Sequence, residues 1–376
     1  MKISGAILEE MDRPRPYRTS APLVIDELDL DPPGRGELLV RIEAAGICHS
    51  DLSVVDGSRR RPVPMLLGHE AAGRVEALGD AVTDLAVGQR VVMAFLPRCG
   101  ECDGCRTDGR LPCIPGSAAN NAGTLLDGHI RLHREGRPVN HHLGVSAFAT
   151  HAVVNRASVV PVGDDIPPEI AAVLGCAVLT GGGAVINAAK PLPGQSVMVV
   201  GLGGVGMAAL ITAVALGHGE VIGVDSLPAK LDAARAAGAA ATYTPQELAE
   251  HAIMAPVVIE AAGHPRAFET AVAATAPGGI TVTVGLPAPD ARSAIAPLDL
   301  VAGARTITGS YLGSSVPQRD IPAYAQMWRD GTLPVDKLIS SRIALAQINE
   351  GMDELADGTA IRQVIMFAET DIVAAP

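Results

Sequence analysis

From Ser196 to about residue 311, short apolar runs alternate with longer amphipathic ones. "SVMVV" has the length and β-branched content of a buried strand, and the Ala/Leu-rich stretch from Met207 reads as a helix. "EVIGVD" repeats the strand pattern and "AKLDAARAAGA" the helical one. "PVVIEAAG", "RAFETAVAATA" and "GGITVTVGLP" continue as strand, helix and strand. This rhythm predicts an α/β fold with a doubly wound parallel sheet over 178–311. The remaining 65 or so residues hold two amphipathic helical segments and a strand-like "IRQVIMF". They are too few for a core of their own, so 312–376 is expected to return to the domain formed by 1–177. Gly- and Pro-rich connections separate the elements, with no internal repeat.

At 376 residues the chain exceeds what one core usually supports, so two domains are expected. Aromatic residues make up only 2% of a chain that is 48% hydrophobic, so the cores must be filled by Val, Leu, Ile and Ala. That mix suits strands buried on both faces. A formal charge of −12 excludes nucleic acid and anionic membranes as partners, since both need a basic surface. The opening "MKISGAILEEMDRPRP" lacks a signal-peptide core, and the longest apolar runs, such as "AALITAVAL", read as too short to span a bilayer. A cytoplasmic location follows as the expectation. Disulfides are disfavoured there, which changes the reading of the six cysteines.

Four of them, Cys99, Cys102, Cys105 and Cys113, lie within fifteen residues as C-x2-C-x2-C-x7-C. Such short loops wrap thiolates around one ion, and Gly100, Gly104 and Gly109 supply the turns. Four thiolates close a tetrahedron and leave no open position, so the site reads as structural zinc. Further on, Gly201, Gly203 and Gly206 form G-x-G-x-x-G between the first strand and its helix. This is the arrangement that lets a pyrophosphate approach the backbone at a helix N-terminus, the Rossmann signature. Asp225 ends the second strand, nineteen residues after Gly206, where an acid accepts the ribose hydroxyls. Its charge would repel a 2′-phosphate, and Ser226 and Leu227 offer no cation, so NAD is preferred over NADP.

Five segments, "GICHSDL", "GHEAAGRVEALGDAV", "CGECDGCRTDGRLPC", "LGCAVLTG" and "GLGGVG", occur in the order found in zinc-dependent alcohol dehydrogenases of the medium-chain dehydrogenase/reductase superfamily. The chain resembles that family over nearly its whole length. The resemblance implies a GroES-like β-rich catalytic domain beside the Rossmann domain, and two zinc ions per chain. Cys48, His69 and Cys176 resemble the catalytic zinc ligands, Glu70 the nearby carboxylate, and Asp51 the acid that holds the ligand imidazole. Ser50 resembles the hydroxyl that takes the alcohol proton. His49 and Arg362 resemble cationic contacts to the NAD pyrophosphate. Thr180, Gly204, Val205 and Lys230 align with further cofactor contacts, and Phe95, Leu286 and Tyr311 with the substrate-pocket lining. The implied reaction is reversible hydride transfer between a primary or secondary alcohol and NAD.

Three features depart from the pattern. Many relatives end a proton relay with a histidine three residues after the catalytic hydroxyl, where this chain has Ser53. "DGSRRRP" places Arg59, Arg60 and Arg61 where the glutathione-dependent class carries acids; we read them as a solvated charge run. Arg13, Arg15 and Arg18, and the histidines 129, 133, 141 and 142, read as surface and loop residues. A thiol-adduct (formaldehyde) dehydrogenase, an inactive nucleotide-binding homologue and a zinc-free enone reductase are the alternatives; the intact ligand set disfavours the last two. An apolar sheet edge near "GGITVTVGLP" and "ARTITGSYLG" predicts a homodimer, or else a tetramer.

Overall fold

A computed structural model describes residues 1–368. The chain divides into two compact units, Met1–Cys176 with the chain from Ile339 on, and Ala177–Leu338. Residues 312–338 thus belong with the Rossmann unit, and the return to the first unit begins later than the sequence pattern suggests. The amphipathic helix Pro317–Arg329 accounts for the difference. It buries Ile321, Tyr324 and Ala325, and the Tyr324 ring closes over Gly182, a position with no room for a side chain.

The first unit is β-rich and built around the eleven-residue strand Glu37–Ile47. Glu70–Leu78 and His151–Asn155 pair with it antiparallel. At its far end Gln363–Met366 pairs with Ile47–Ala44, which realises the strand-like "IRQVIMF". Arg90–Met93, Val159–Pro161 and Ser341–Ile343 complete a seven-stranded sheet, and five shorter strands close a barrel. Leu38, Val40, Ile42, Ala45, Ile47, Leu52, Val91, Met93, Phe148 and Ile365 form one core beneath the sheet. This is the β-rich domain that the resemblance implies beside the nucleotide fold.

In the second unit six parallel strands lie in the order Ala241–Tyr243, Val221–Val224, Val197–Val200, Ala255–Glu260, Thr275–Thr283, Thr306–Gly309. The order reverses beside Val197–Val200, and the doubly wound topology therefore opens its crevice at the end of that strand. The strand Ala241–Tyr243 leaves no clear apolar pattern, because all three of its residues are half-buried at the edge.

One sequence expectation about membranes is corrected. Pro168–Ala189 forms 22 residues of helix with mean hydropathy 1.8, long and apolar enough by composition to cross a bilayer. It is 89% buried inside the protein, so its apolar character serves the core.

The N-terminal arginines are also more than a solvated run. Buried Asp353, on the helix Ile348–Ala356, accepts the backbone N–H groups of Tyr17 (2.8 Å) and Arg18 (3.0 Å), and Arg15 and Arg18 reach it with their guanidinia. Burial works to raise the Asp353 carboxyl, but these donors outweigh it and hold its pKa below the usual carboxylate value. A depressed carboxylate stabilises the fold above its unfolded pKa and loses that contribution as pH falls through the folded value. Asp353→Ala should therefore cost about 2 kcal/mol at pH 7. The gap from the parent should shrink steadily below about pH 4. Urea unfolding at pH 7 and pH 3 tests this; a gap equal at both values contradicts it.

Candidate active site and metal centres

Cys48 lies where the strand Glu37–Ile47 ends and the helix His49–Val55 begins, as the N-cap of that helix. Asp51, in the first turn, reaches back so that Oδ2 accepts the Cys48 N–H at 3.0 Å. Its other oxygen, Oδ1, stands 3.0 Å from His69 Nδ1 and accepts the Gly68 N–H at 3.3 Å. Burial would raise the Asp51 carboxyl, but the facing imidazoles of His69 and His142 bring it down to about 2. An ionised Asp51 only accepts, so His69 carries a proton on Nδ1, and Nε2 is the nitrogen left to ligate a metal. Nε2 points at Cys176 Sγ, 3.5 Å away. Cys176 comes from the π-helical stretch Leu174–Val178, a wide turn of the kind often found at functional sites.

Cys48, His69 and Cys176 are all buried, and their donor atoms lie within 4.8 Å of one another. A hydrogen bond from Cys176 and the charge of Arg362 hold the Cys48 thiol well below its ordinary pKa, against the effect of burial. Cys176 is pushed up correspondingly by Cys48 and by burial. Burial alone would depress the His69 imidazole, but Asp51 and Cys48 push it up. Two buried thiols and an imidazole with converging donor atoms are a set that a dication would complete, displacing thiol protons as it binds. The set therefore fits zinc with three protein ligands and an open fourth position.

Glu70 follows His69 and is fully buried, with both carboxylate oxygens lacking a hydrogen bond. Burial raises its pKa to about 7, with Arg362 opposing. Arg362 Nη1 lies 3.5 Å from Glu70 and donates to the Ile47 carbonyl at 3.0 Å, and its Nε has no partner. Gly46 leaves the space that the Glu70 carboxylate occupies.

The four-cysteine loop is equally well formed. Cys99 and Cys105 Sγ are 3.9 Å apart, and Cys102 and Cys113 Sγ 4.0 Å. A disulfide needs about 2.05 Å. A tetrahedron with zinc–sulfur arms of about 2.3 Å has edges of about 3.8 Å. Backbone N–H groups of Cys99, Cys105, Ile114 and Gly116 point at the sulfurs of Cys113 and Cys102, each at 3.4 Å. Those of Ile114 and Cys105 bring the Cys102 thiol down to about 6. Gly100 and Gly109 take φ of 86° and 87°. All six cysteines are free thiols.

In the second unit the three glycines have separate tasks. Gly201 has φ of 92° and faces the Ala262 backbone, and Gly206 presses on the Gly201 carbonyl. Around Gly203 nothing lies within 4 Å of where a Cβ would be, which leaves the opening a pyrophosphate needs. Gly204 and Val205 begin the helix Gly204–Ala215, and no side chain caps it. Asp225 Oδ2 accepts the Leu202 N–H at 2.8 Å and Oδ1 the Leu227 N–H at 3.0 Å. The acid is thus pinned beside the glycine turn.

The Alcohol dehydrogenase GroES-like domain model matches residues 34–164, and the Zinc-binding dehydrogenase model residues 204–329. The geraniol dehydrogenase of Castellaniella defragrans is 37% identical over 362 residues, covering 93% of this chain and 96% of that protein. Alcohol dehydrogenase 1 of Pisum sativum is 31% identical over 94% of this chain and 96% of its own length. The crystal structure of benzyl alcohol dehydrogenase from Acinetobacter calcoaceticus superposes with a TM-score of 0.89 at 30% identity, covering 98% of this chain and all of that one. The chain belongs to the zinc-dependent alcohol dehydrogenases of the medium-chain dehydrogenase/reductase superfamily.

Within this alcohol dehydrogenase the other expected residues fall as follows. Ser50 is half-buried and His49 exposed on the first turn after Cys48. Phe95 packs edge-on against His69, with ring centroids 5.5 Å apart. Leu286 and Tyr311 belong to the second unit, Leu286 being 46% exposed. Thr180 is buried there, next to Gly181, which abuts the Val205 carbonyl. Lys230 is half-buried on the helix Pro228–Ala236. Arg60 pairs with Asp12, and Arg61 bonds the Asn120 carbonyl and Asn121. Ser53 Oγ donates to the Ser50 carbonyl at 2.9 Å.

The histidine reading needs correction. His129 is exposed and His133 half-buried, but His141 and His142 are fully buried. His141 Nε2 accepts the Arg131 N–H at 3.1 Å. His142 stands against Asp51 and His69, which puts it at the site itself. A pair of adjacent histidines in an inserted polar stretch reads as surface. Only the apolar "LGVSAFA" that follows hints that the segment turns inward.

Proposed function

We propose that this enzyme transfers hydride reversibly between a primary or secondary alcohol and NAD, using one catalytic and one structural zinc ion per chain. The observation that carries the proposal is the buried Cys48–His69–Cys176 set, with three converging donors and Asp51 behind the imidazole. Bound there, zinc supplies a Lewis acid for the substrate oxygen, and NAD supplies the hydride acceptor. The chain does the rest. Asp51 fixes the His69 tautomer and aims Nε2 at the metal position. Ser50, two residues from Cys48, takes the alcohol proton and passes it outward. Phe95 walls the site with an apolar ring beside His69 and keeps water from that side. Cys99, Cys102, Cys105 and Cys113 hold the structural ion. Gly201, Gly203, Gly204, Val205 and Gly206 form the pyrophosphate turn, Asp225 accepts the ribose hydroxyls, and Thr180, Lys230, His49 and Arg362 provide further cofactor contacts. Phe95, Leu286 and Tyr311 are the residues proposed to contact the substrate.

Six free thiols, divided between two clusters of metal-ligand type, fit a reducing cytoplasm. A homodimer is the proposed assembly. Thr306–Gly309 is an edge strand, and Leu298 and Val301 just before it are 73% and 80% exposed. Pairing two such edges would satisfy the open strand and cover those side chains. Light scattering at micromolar concentration should give twice the chain mass; a monomer there contradicts the assembly.

The reaction is tested by following NADH formation over a panel of alcohols. Geraniol and benzyl alcohol come first, because relatives carry those names. No NADH from any alcohol would refute the proposal. Elemental analysis of the purified enzyme should find about two zinc ions per chain, the count set by one closed and one open site. Cys99→Ser should bring it to about one. A parent value of one, unchanged in that variant, would remove the structural site. NAD should be preferred to NADP by tenfold or more, that is by roughly 1.4 kcal/mol. Asp225→Ala should narrow the gap, and equal use of both cofactors by the parent enzyme counts against the role given to Asp225.

A further inference from the structure

His142 is 1% exposed, and its Nδ1 lies 3.2 Å from Asp51 Oδ1 without a hydrogen-bond partner elsewhere. Its ring stands edge-on to that of His69, with centroids 5.4 Å apart and planes at 89°. Asp51 Oδ1 is thus flanked by two imidazoles, one of them belonging to a metal-ligand candidate. The backbone around His142 is tightly held. Ser146 Oγ accepts the His142 N–H at 2.8 Å and donates to the Leu66 carbonyl at 2.8 Å. The turn between them places Leu143 and Ser146 at φ of 52° and 54°, in the left-handed region that side chains other than glycine seldom adopt. Strain of that kind persists where the surroundings enforce it, and it collects at functional sites. The anchor at Leu66 is three residues from His69, so the turn carrying His142 is tied to the segment that carries the ligand.

We propose that His142 is a positioning residue for the three-donor metal site, holding Asp51 so that His69 Nε2 points at Cys48 and Cys176. The proposal rests on the metal reading of those three residues. Asp51 is otherwise held by the Cys48 N–H, the Gly68 N–H and His69 itself. Those contacts all come from the segments that the metal draws together. Among the described residues, His142 reaches Asp51 from a different part of the chain, so it fixes the carboxylate independently of the metal. His142→Phe keeps the ring and its edge-on packing but removes the polar contact. His142→Asn keeps a short amide that can donate to Asp51.

The test follows zinc release from parent, His142→Phe and His142→Asn holoenzymes into a chromogenic chelator, beside kcat and KM. The phase that disappears in Cys99→Ser marks the four-cysteine site. In His142→Phe the other phase should quicken about tenfold, the usual effect of losing a partner behind a metal ligand. The four-cysteine phase should not change, and kcat should fall with the KM for NAD unchanged. His142→Asn should lie closer to the parent than His142→Phe does. Parent-like release from His142→Phe overturns the proposal. Equal acceleration of both phases also overturns it, because it signals a loosened fold, and so does a His142→Asn enzyme as leaky as His142→Phe. A parent enzyme that releases zinc only from the four-cysteine site would defeat the underlying metal reading, and the proposal with it.

Discussion

The carboxylate of Asp51 accepts the Cys48 N–H on one oxygen and the Gly68 N–H and His69 Nδ1 on the other, and the Cys48–His69–Cys176 donor set is arranged around that sharing. A carboxylate buried without donors would cost several kcal/mol, or would protonate instead. Here the donors come from the backbone at one ligand, the backbone next to a second, and the second ligand's own ring. Satisfying one buried charge therefore draws together two separate elements, the start of the helix His49–Val55 and the Gly68–His69 turn. It also decides which imidazole nitrogen is left with a lone pair. Glu70 and Arg362 form a second buried layer, reached through the strand Gln363–Met366 that closes on Ile47. This explains why a segment near the end of the chain belongs to a site begun at residue 48.

The second unit solves a different problem with less chemistry. A dianionic pyrophosphate approaching a backbone needs room and unpaired N–H groups, and three glycines and a bare helix start offer both. Asp225 uses both oxygens on N–H groups of the neighbouring turns, which sets its position before any ligand arrives. The Rossmann unit thus offers shape and partial charge, and the first unit offers clusters of metal-type donors.

The parts legible in the sequence are those with short-range signatures. Period and length marked the strands Val197–Val200, Val221–Val224 and Ala255–Glu260 because they are buried on both faces. The four-cysteine loop and the glycine turn were readable because all their residues fall in one stretch. The first unit was legible only through family resemblance: its central strand, Glu37–Ile47, carries two register irregularities that break alternation. Arg15 and Arg18 resemble solvent-facing charges until Asp353, more than 300 residues away, is brought beside them. His142 was misread for the same reason, since its partner Asp51 lies 91 residues earlier. Long-range polar contacts leave no periodic trace, and burial of a polar side chain is visible only once its partner is placed.

The two metal-type clusters differ in how they can be inherited. Every donor of the four-cysteine site lies in one fifteen-residue loop, so a single deletion between Arg98 and Ile114 could remove the whole site. Such a site behaves as a cassette, gained or lost in one step while the sheet beneath persists. The Cys48–His69–Cys176 set is spread across most of the first unit and cannot be excised that way. It can only erode one residue at a time, with each loss leaving a partial set behind. Lineages descended from this fold should therefore vary abruptly in the loop and gradually at the three-donor site.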